Sequence, residues 1–104
     1  MHIRKSDQVV VIRGANKGRR GRVLRVQPKK ERVFVEGVNM RKHHEKSRVQ
    51  GQGGGIIERE APIHISNVMA WCASAGKPSK IYMKQLEDGT RVRVYKINDE
   101  TLND

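Results

Sequence analysis

The stretch Gly14-Ala15-Asn16-Lys17-Gly18-Arg19-Arg20-Gly21 sets three glycines among three cations. Glycine lets a backbone turn tightly or approach a ligand closely, and clustered lysine and arginine attract an anion. Three chemistries fit: a nucleotide-phosphate cradle, a grip on a nucleic-acid backbone, or a solvated turn. A Walker-type phosphate loop needs G-x-x-x-x-G-K-[ST] opening a helix. Neither Gly18 nor Gly21 is followed by Lys-Ser or Lys-Thr. The next residues, Arg22-Val23-Leu24-Arg25-Val26, read as a strand, so no helix dipole faces a phosphate. Gly51-Gln52-Gly53-Gly54-Gly55 also lacks the dinucleotide fingerprint: Ile56 comes directly after it, and no strand–helix unit surrounds it.

The remaining reactive side chains are few. His43 and His44 are adjacent, and His64 and Cys72 stand apart from them. Their spacing matches no zinc pattern, so contact with RNA or solvent is expected for the histidines. Cys72 acting as a nucleophile would need a base and a group to orient it. His64 is the one candidate base, and no carboxylate is clearly placed beside it. The chain is therefore read as non-catalytic, without metal or cofactor. Cys72 is the single cysteine; it excludes an internal disulfide, fits a reducing compartment, and is expected to pack as a partly buried small hydrophobe.

Charge carries more information. The 104 residues hold 22 basic and 11 acidic side chains, a net of +11. Residues 1–60 contain 16 and 6 of these, and residues 61–104 contain 6 and 5. Nearly the whole field belongs to the first part, and it suits nucleic acid or an anionic membrane surface. The cations also cluster: Arg4 and Lys5 before the first strand, Arg13 at its end, then Lys17, Arg19, Arg20 and Arg22, then Lys29 and Lys30, then Arg41, Lys42, Lys46 and Arg48. A merely basic, soluble surface would spread them more evenly. No apolar run reaches membrane-spanning length, and none comes after Met1-His2-Ile3-Arg4-Lys5 as in a signal peptide. A cytoplasmic location is expected ahead of an organelle matrix, with no membrane and no small-molecule substrate.

The elements that must position these residues are short and extended. Gln8–Arg13 is apolar at consecutive positions, which predicts a strand buried on both faces. Residues 22–26 and 32–36 are two more strands around a turn at 27–31, where Pro28 fixes φ. Val33 and Val35 share one face of the third strand. Gly37 marks a bulge or barrel corner. Residues 38–60 are read as a long hairpin with a protruding tip in preference to a disordered insertion. Two short extended segments come next at 61–65 and 67–71, then a turn at Gly76-Lys77-Pro78. Residues 80–84 and 91–95 form a hairpin around Asp88-Gly89. Residues 97–104 are expected to be acidic and frayed. The valines and isoleucines must supply the core, since only Phe34, Trp71, Tyr82 and Tyr95 are aromatic.

The pattern Asp7, Val9-Val10-Val11-Ile12, Gly14, Lys17-Gly18, Gly21 and Val23 resembles a KOW motif. In that motif two strands of a small SH3-like barrel flank a basic loop; here Gly18 and Gly21 would turn the loop and Lys17, Arg19 and Arg20 would project. Farther on come Val35-Glu36-Gly37-Val38-Asn39, the run Gly54 to Met69 with Glu58-Arg59-Glu60-Ala61-Pro62-Ile63-His64-Ile65, Gly76-Lys77-Pro78-Ser79 and Leu86-Glu87-Asp88-Gly89. Together these resemble the bacterial-type family of large-ribosomal-subunit protein twenty-four, from Ile3 to about Tyr95. The resemblance implies an all-β fold in one domain, 1–104. It comprises an SH3-like barrel over about 3–70, a protruding β-hairpin over about 40–58, a C-terminal β extension over about 71–96 and an acidic tail at 97–104. It also implies binding to the 5′ region of large-subunit rRNA, help in initiating subunit assembly, and a place near the peptide tunnel exit among neighbouring ribosomal proteins, with the nascent chain or exit factors beside the hairpin. Some relatives carry zinc-ribbon cysteine pairs; the matching positions here are Cys72, Ala75, Tyr95 and Asn98, three of which offer no thiolate. A KOW module serving transcription or RNA chaperoning, with RNA polymerase as partner, is the alternative.

From the residues themselves, the cation clusters would contact phosphates and displace counterions. Arginine would add bidentate contacts and stacking on exposed bases. Asn16 and Asn39 would reach 2′-hydroxyls or base edges, or serve turn chemistry. Structured RNA is favoured over DNA: no helix is available for a major groove, and aromatics are too sparse for a single-strand stacking platform.

Overall fold

The computed structural model describes residues 2–45 and 55–102, with side chains omitted at 43–45 and 55. It is all-β. Among the described residues, ten strands run in chain order: β1 Gln8–Val11, β2 Arg20–Gln27, β3 Arg32–Val35, β4 Met40–Glu45, β5 Gly55–Glu60, β6 Ile63–His64, β7 Val68–Cys72, β8 Lys77–Ser79, β9 Ile81–Gln85 and β10 Arg91–Tyr95. Six of them form one antiparallel sheet in the order β6-β3-β2-β1-β7-β8. β6 and β7 lie far apart in that order, yet only the 3₁₀ turn Ile65–Asn67 joins them. The sheet must therefore roll over on itself, as in an SH3-like barrel.

Valine fills the interior. Val9, Val11, Val23, Val33, Val35, Val38, Ile63 and Val68 form one buried cluster. Branched side chains suit a pleated surface packed at close quarters, and alternation in β3 sends Val33 and Val35 inward as expected. Val10 faces the other side of β1 and is also buried, at 6% exposure. β1 is thus covered on both faces, though the strand ends at Val11, short of Ile12 and Arg13.

A bulge re-aims β2. Val23 pairs with Val35, but the next pair is Arg25 with Phe34. Two positions apart, Val23 and Arg25 would share a face in a regular strand. The extra residue turns Arg25 outward to the side of Arg20 and Arg22, and lets Val26 pack against the core. The turn after β2 is a 3₁₀ turn over Pro28–Lys30, closed by Glu31 in the left-handed region.

Gly37, at φ +71°, makes the corner after β3. Val38 and Asn39 belong to this corner, so extended structure resumes only at Met40. β4 and β5 then pair in register from Met40↔Glu60 to Glu45↔Gly55, giving the expected hairpin along these residues; the protruding tip expected for it falls on residues outside those described.

Two expectations near the C-terminus are corrected. Lys77-Pro78-Ser79 is a strand, not a turn: Gly76 turns the chain at φ +64°, and Pro78 then pairs with Trp71. Proline fits because β8 is the sheet's edge. The tail is not frayed through Leu102. Leu102 is buried, and its N–H donates to the Arg93 carbonyl at 2.9 Å; Tyr95 N–H donates to the Glu100 carbonyl at 2.9 Å. The apolar Leu102 lets this segment return along β10 despite its acidic composition. β9 and β10 form the expected hairpin around Asp88-Gly89.

One buried ion pair ties the chain's two ends. Arg93 is 1% exposed and grips the Asp7 carboxylate with two N–H groups, at 2.6 and 3.1 Å, while donating to the His2 carbonyl at 2.8 Å.

Candidate nucleic-acid interface

The basic loop between β1 and β2 is held from inside. Val11 N–H donates to the Arg19 carbonyl and Gly18 N–H to the Val11 carbonyl, both at 2.8 Å. Lys17 N–H bonds back to the Gly14 carbonyl, and Arg19 N–H to that of Asn16. Gly14 and Gly18, each at φ +91°, supply the left-handed backbone this needs. Gly21 does something else. It lies within β2, where an added Cβ would sit 2.6 Å from the Glu36 carbonyl oxygen; it serves close packing, not the loop turn assigned to it from sequence. Lys17 and Arg19 project from the loop, whereas Arg20 and Arg22 stand on β2.

The outward face of β2 carries a row of three arginines, Arg20, Arg22 and Arg25. The guanidinium of Arg20 lies over the Trp71 ring, 4.3 Å from its centroid. The guanidinium of Arg25 lies over Phe34 at the same distance. Arg22 between them reaches Glu36 at 3.4 Å. Cation–π contact at an exposed site is worth about 0.5–1 kcal/mol, so the two flanking arginines are biased toward these positions before any partner arrives.

A concavity of about 380 Å³ gathers polar groups that are distant in sequence. Arg13, Gly14 and Asn16 from the basic loop line it with Arg32 of β3, Asn39 and Arg41 at the root of β4, and His64 and Asn67. Asn39, at φ +57°, donates its amide nitrogen to the Pro62 carbonyl at 3.3 Å and lies 3.5 Å from that of Ala61. Turn chemistry thus claims one end of that side chain. His64 Nδ1 lies 2.8 Å from Ser66 Oγ and accepts the Ser66 N–H, and its Nε2 is 3.3 Å from Glu31.

The other expected residues spread around these two features. Lys29 and Lys30 are exposed on the 3₁₀ turn. Arg4 and Lys5 border a shallow groove with Arg25. Lys42 is exposed on β4 opposite Glu58, and the backbones of His43 and His44 pair with Ile57 and Ile56. Lys46 and Arg48 lie outside the described residues. Sequence reasoning did not select Arg25, Arg32, His64 or Asn67. Phe34, placed on the same face as Arg32 and Glu36 by alternation, was the available signal for an exposed face with an aromatic on it.

At the root of the hairpin, Glu60 accepts the Gly37 N–H at 3.0 Å. That bond, with a smaller contribution from its own N–H, holds the Glu60 carboxyl below its ordinary value. Cys72 is fully buried, its Sγ 3.4 Å from both Ser74 Oγ and Asn98 Nδ2. Its polar partners are thus Ser74 and Asn98, while His64 engages Ser66 and Glu31. Among the described residues, no helix is long and apolar enough to cross a membrane.

Comparison with known proteins covers nearly the whole chain. A family model described as large ribosomal subunit protein uL24, C-terminal domain, matches residues 38–102, and a KOW motif model matches residues 5–36. Between the two matches lies only Gly37, the corner after β3. The chain is 50% identical over 102 residues to large ribosomal subunit protein uL24 of Pelotomaculum thermopropionicum, covering 98% of this chain and 95% of that protein. It is 50% identical over 103 residues to the Alkaliphilus metalliredigens protein of the same name, covering 99% and 100%. Identity to the Acidithiobacillus ferrooxidans uL24 is 49% over 102 residues, covering 98% and 96%.

Proposed function

The chain belongs to the uL24 family of large-subunit ribosomal proteins, and on that premise we propose that it is a structural constituent of the large ribosomal subunit that binds rRNA. The observation that carries the binding reading is the clustering of arginines at two places on the barrel: the β2 row and the concavity that joins loop, β3 and β4. Folded RNA offers phosphates, 2′-hydroxyls and unpaired base edges at irregular spacing, and a rigid barrel with separate cationic stations matches such a surface. Lys17, Arg19, Lys29, Lys30, Arg4 and Lys5 would neutralise phosphates. Arg13, Asn16 and Arg41 would enter the concavity's contacts, with the Asn39 carbonyl end beside them. Lys42, His43, His44, Lys46 and Arg48 would extend the contact along the hairpin.

The RNA target is the 5′ region of large-subunit rRNA. A protein that holds that region early would help to initiate assembly, with the whole chain working as one unit. The hairpin would lie near the tunnel exit, where exposed Ile56 and Ile57 on β5 offer apolar contact to neighbouring proteins or a nascent chain. Filter binding of the full chain to a 5′-domain rRNA fragment, over a series of salt concentrations, tests this. Expected is tight binding with a log–log salt slope of several counterions. Weak binding indistinguishable from that to unrelated RNA, together with capture of RNA polymerase, would favour a KOW accessory module instead.

A further inference from the structure

We propose that Arg20 and Arg25 are stacking platforms for unpaired nucleobases, each backed by its own aromatic ring, and not simply phosphate contacts. The proposal rests on the rRNA-binding reading and adds which part of the nucleotide these two residues meet.

The arrangement is built, not incidental. Arg20 on β2 and Trp71 on β7 have β1 between them, and they meet across it. Register puts Arg20 opposite Val10 and Val10 opposite Met69, so Arg20, Val10, Met69 and, two residues on, Trp71 share the outward face. Val10 is 6% exposed on that face. The long arginine stem reaches across that face toward the indole and sets its guanidinium carbon over the ring, 4.3 Å from the centroid. Arg25 and Phe34 are direct cross-strand partners, brought to one face only by the β2 bulge. Both arginines remain exposed. Each guanidinium carbon lies over a ring, and the exposed side chain leaves the guanidinium open to a second partner on its solvent side.

A guanidinium plane stacks on a base as well as on an aromatic side chain. A base laid on the outer face would complete a ring–arginine–base sandwich. Binding it costs less ordering of a long side chain, because the ring already biases the arginine toward that position. A phosphate would use the guanidinium edge, needs no second face, and would be served nearly as well by lysine. The difference is measurable. Paired RNA has no free base face, so stacking is available only where bases are unpaired.

The test compares the full chain with Arg20→Lys and Arg25→Lys variants, on two RNAs of equal length. One is a 5′-domain rRNA fragment containing unpaired loops, and the other is a fully paired duplex. Both substitutions are at exposed positions and keep the charge. Expected is about a tenfold weaker Kd per substitution on the looped RNA, with the salt slope unchanged and duplex binding within about twofold of wild type. The indole of Trp71, the only tryptophan, should also change its fluorescence on binding looped RNA and much less on binding duplex. Equal loss on both RNAs, or no loss on either, overturns the stacking proposal while leaving rRNA binding standing. Failure of the wild-type chain to bind the rRNA fragment would instead overturn the reading on which the proposal rests.

Discussion

Gly18 and Gly21 stand three residues apart and are conformationally unlike. Gly18 has φ +91° with open space around its Cα, and Gly21 meets the Glu36 carbonyl at a distance no Cβ tolerates. Alanine at Gly18 is strained by backbone alone and should destabilise by about 1 kcal/mol. Alanine at Gly21 must push β3's end away from β2 and should destabilise by about 1–3 kcal/mol. Denaturant unfolding of the two variants would rank them, and a larger loss at Gly18 would contradict the assignment. The Asp7–Arg93 pair makes a second prediction at this scale. Arg93→Met leaves a nearly buried carboxylate without its cation and should destabilise by about 3–5 kcal/mol; adding Asp7→Leu should recover part of that loss. Equilibrium unfolding of single and double variants checks both. Neither feature was legible in sequence. A partner 86 residues away leaves no local pattern, and a glycine needed for packing looks like a glycine needed for turning.

Elements were more legible, because their signals are local. Alternation placed Val33 and Val35 inward, and consecutive valines marked β1 as covered on both faces. Asp88-Gly89 located the last hairpin, where the Thr90 N–H donates to Asp88 at 2.9 Å. Pro78 misled because proline is a turn former in most settings and an edge-strand residue in a few. Residues 97–102 misled because composition hid Leu102, whose burial depends on a surface supplied by β10. The bulge in β2 was also hidden, and with it the arginine row. The root of the β4–β5 hairpin yields a pH prediction. The Glu60 carboxyl is held below its ordinary value of 4.5 by the Gly37 N–H. Its contribution to stability is therefore present above that value and lost as pH falls through the lowered one. Glu60→Gln should thus be less stable than wild type at neutral pH, with the gap closing under acid. Unfolding midpoints across pH would show it; a constant gap would remove Glu60 from the hairpin's anchoring.

At the scale of the whole molecule, charge divides the chain where the fold does not: the six-stranded sheet takes β1, β2 and β3 from the basic part and β6, β7 and β8 from the rest. Residues 1–60 carry a net of +10, whereas the last 44 residues are nearly neutral. That last part contributes Trp71 beneath Arg20 and Arg93 beneath Asp7. It supports the basic half more than it adds to its field. Composition alone pointed to a polyanion, but it did not locate the surface. The concavity is assembled from the basic loop, β3 and the hairpin root, which are distant in sequence, and the β2 arginine row stands as a second feature.

The most direct measurement is a sedimentation profile of the full chain in a cell lysate, run at moderate salt and again after a high-salt wash. A structural constituent of the large subunit should travel with the large-subunit peak in both. A chain running free, or with RNA polymerase, at both salts would contradict the account.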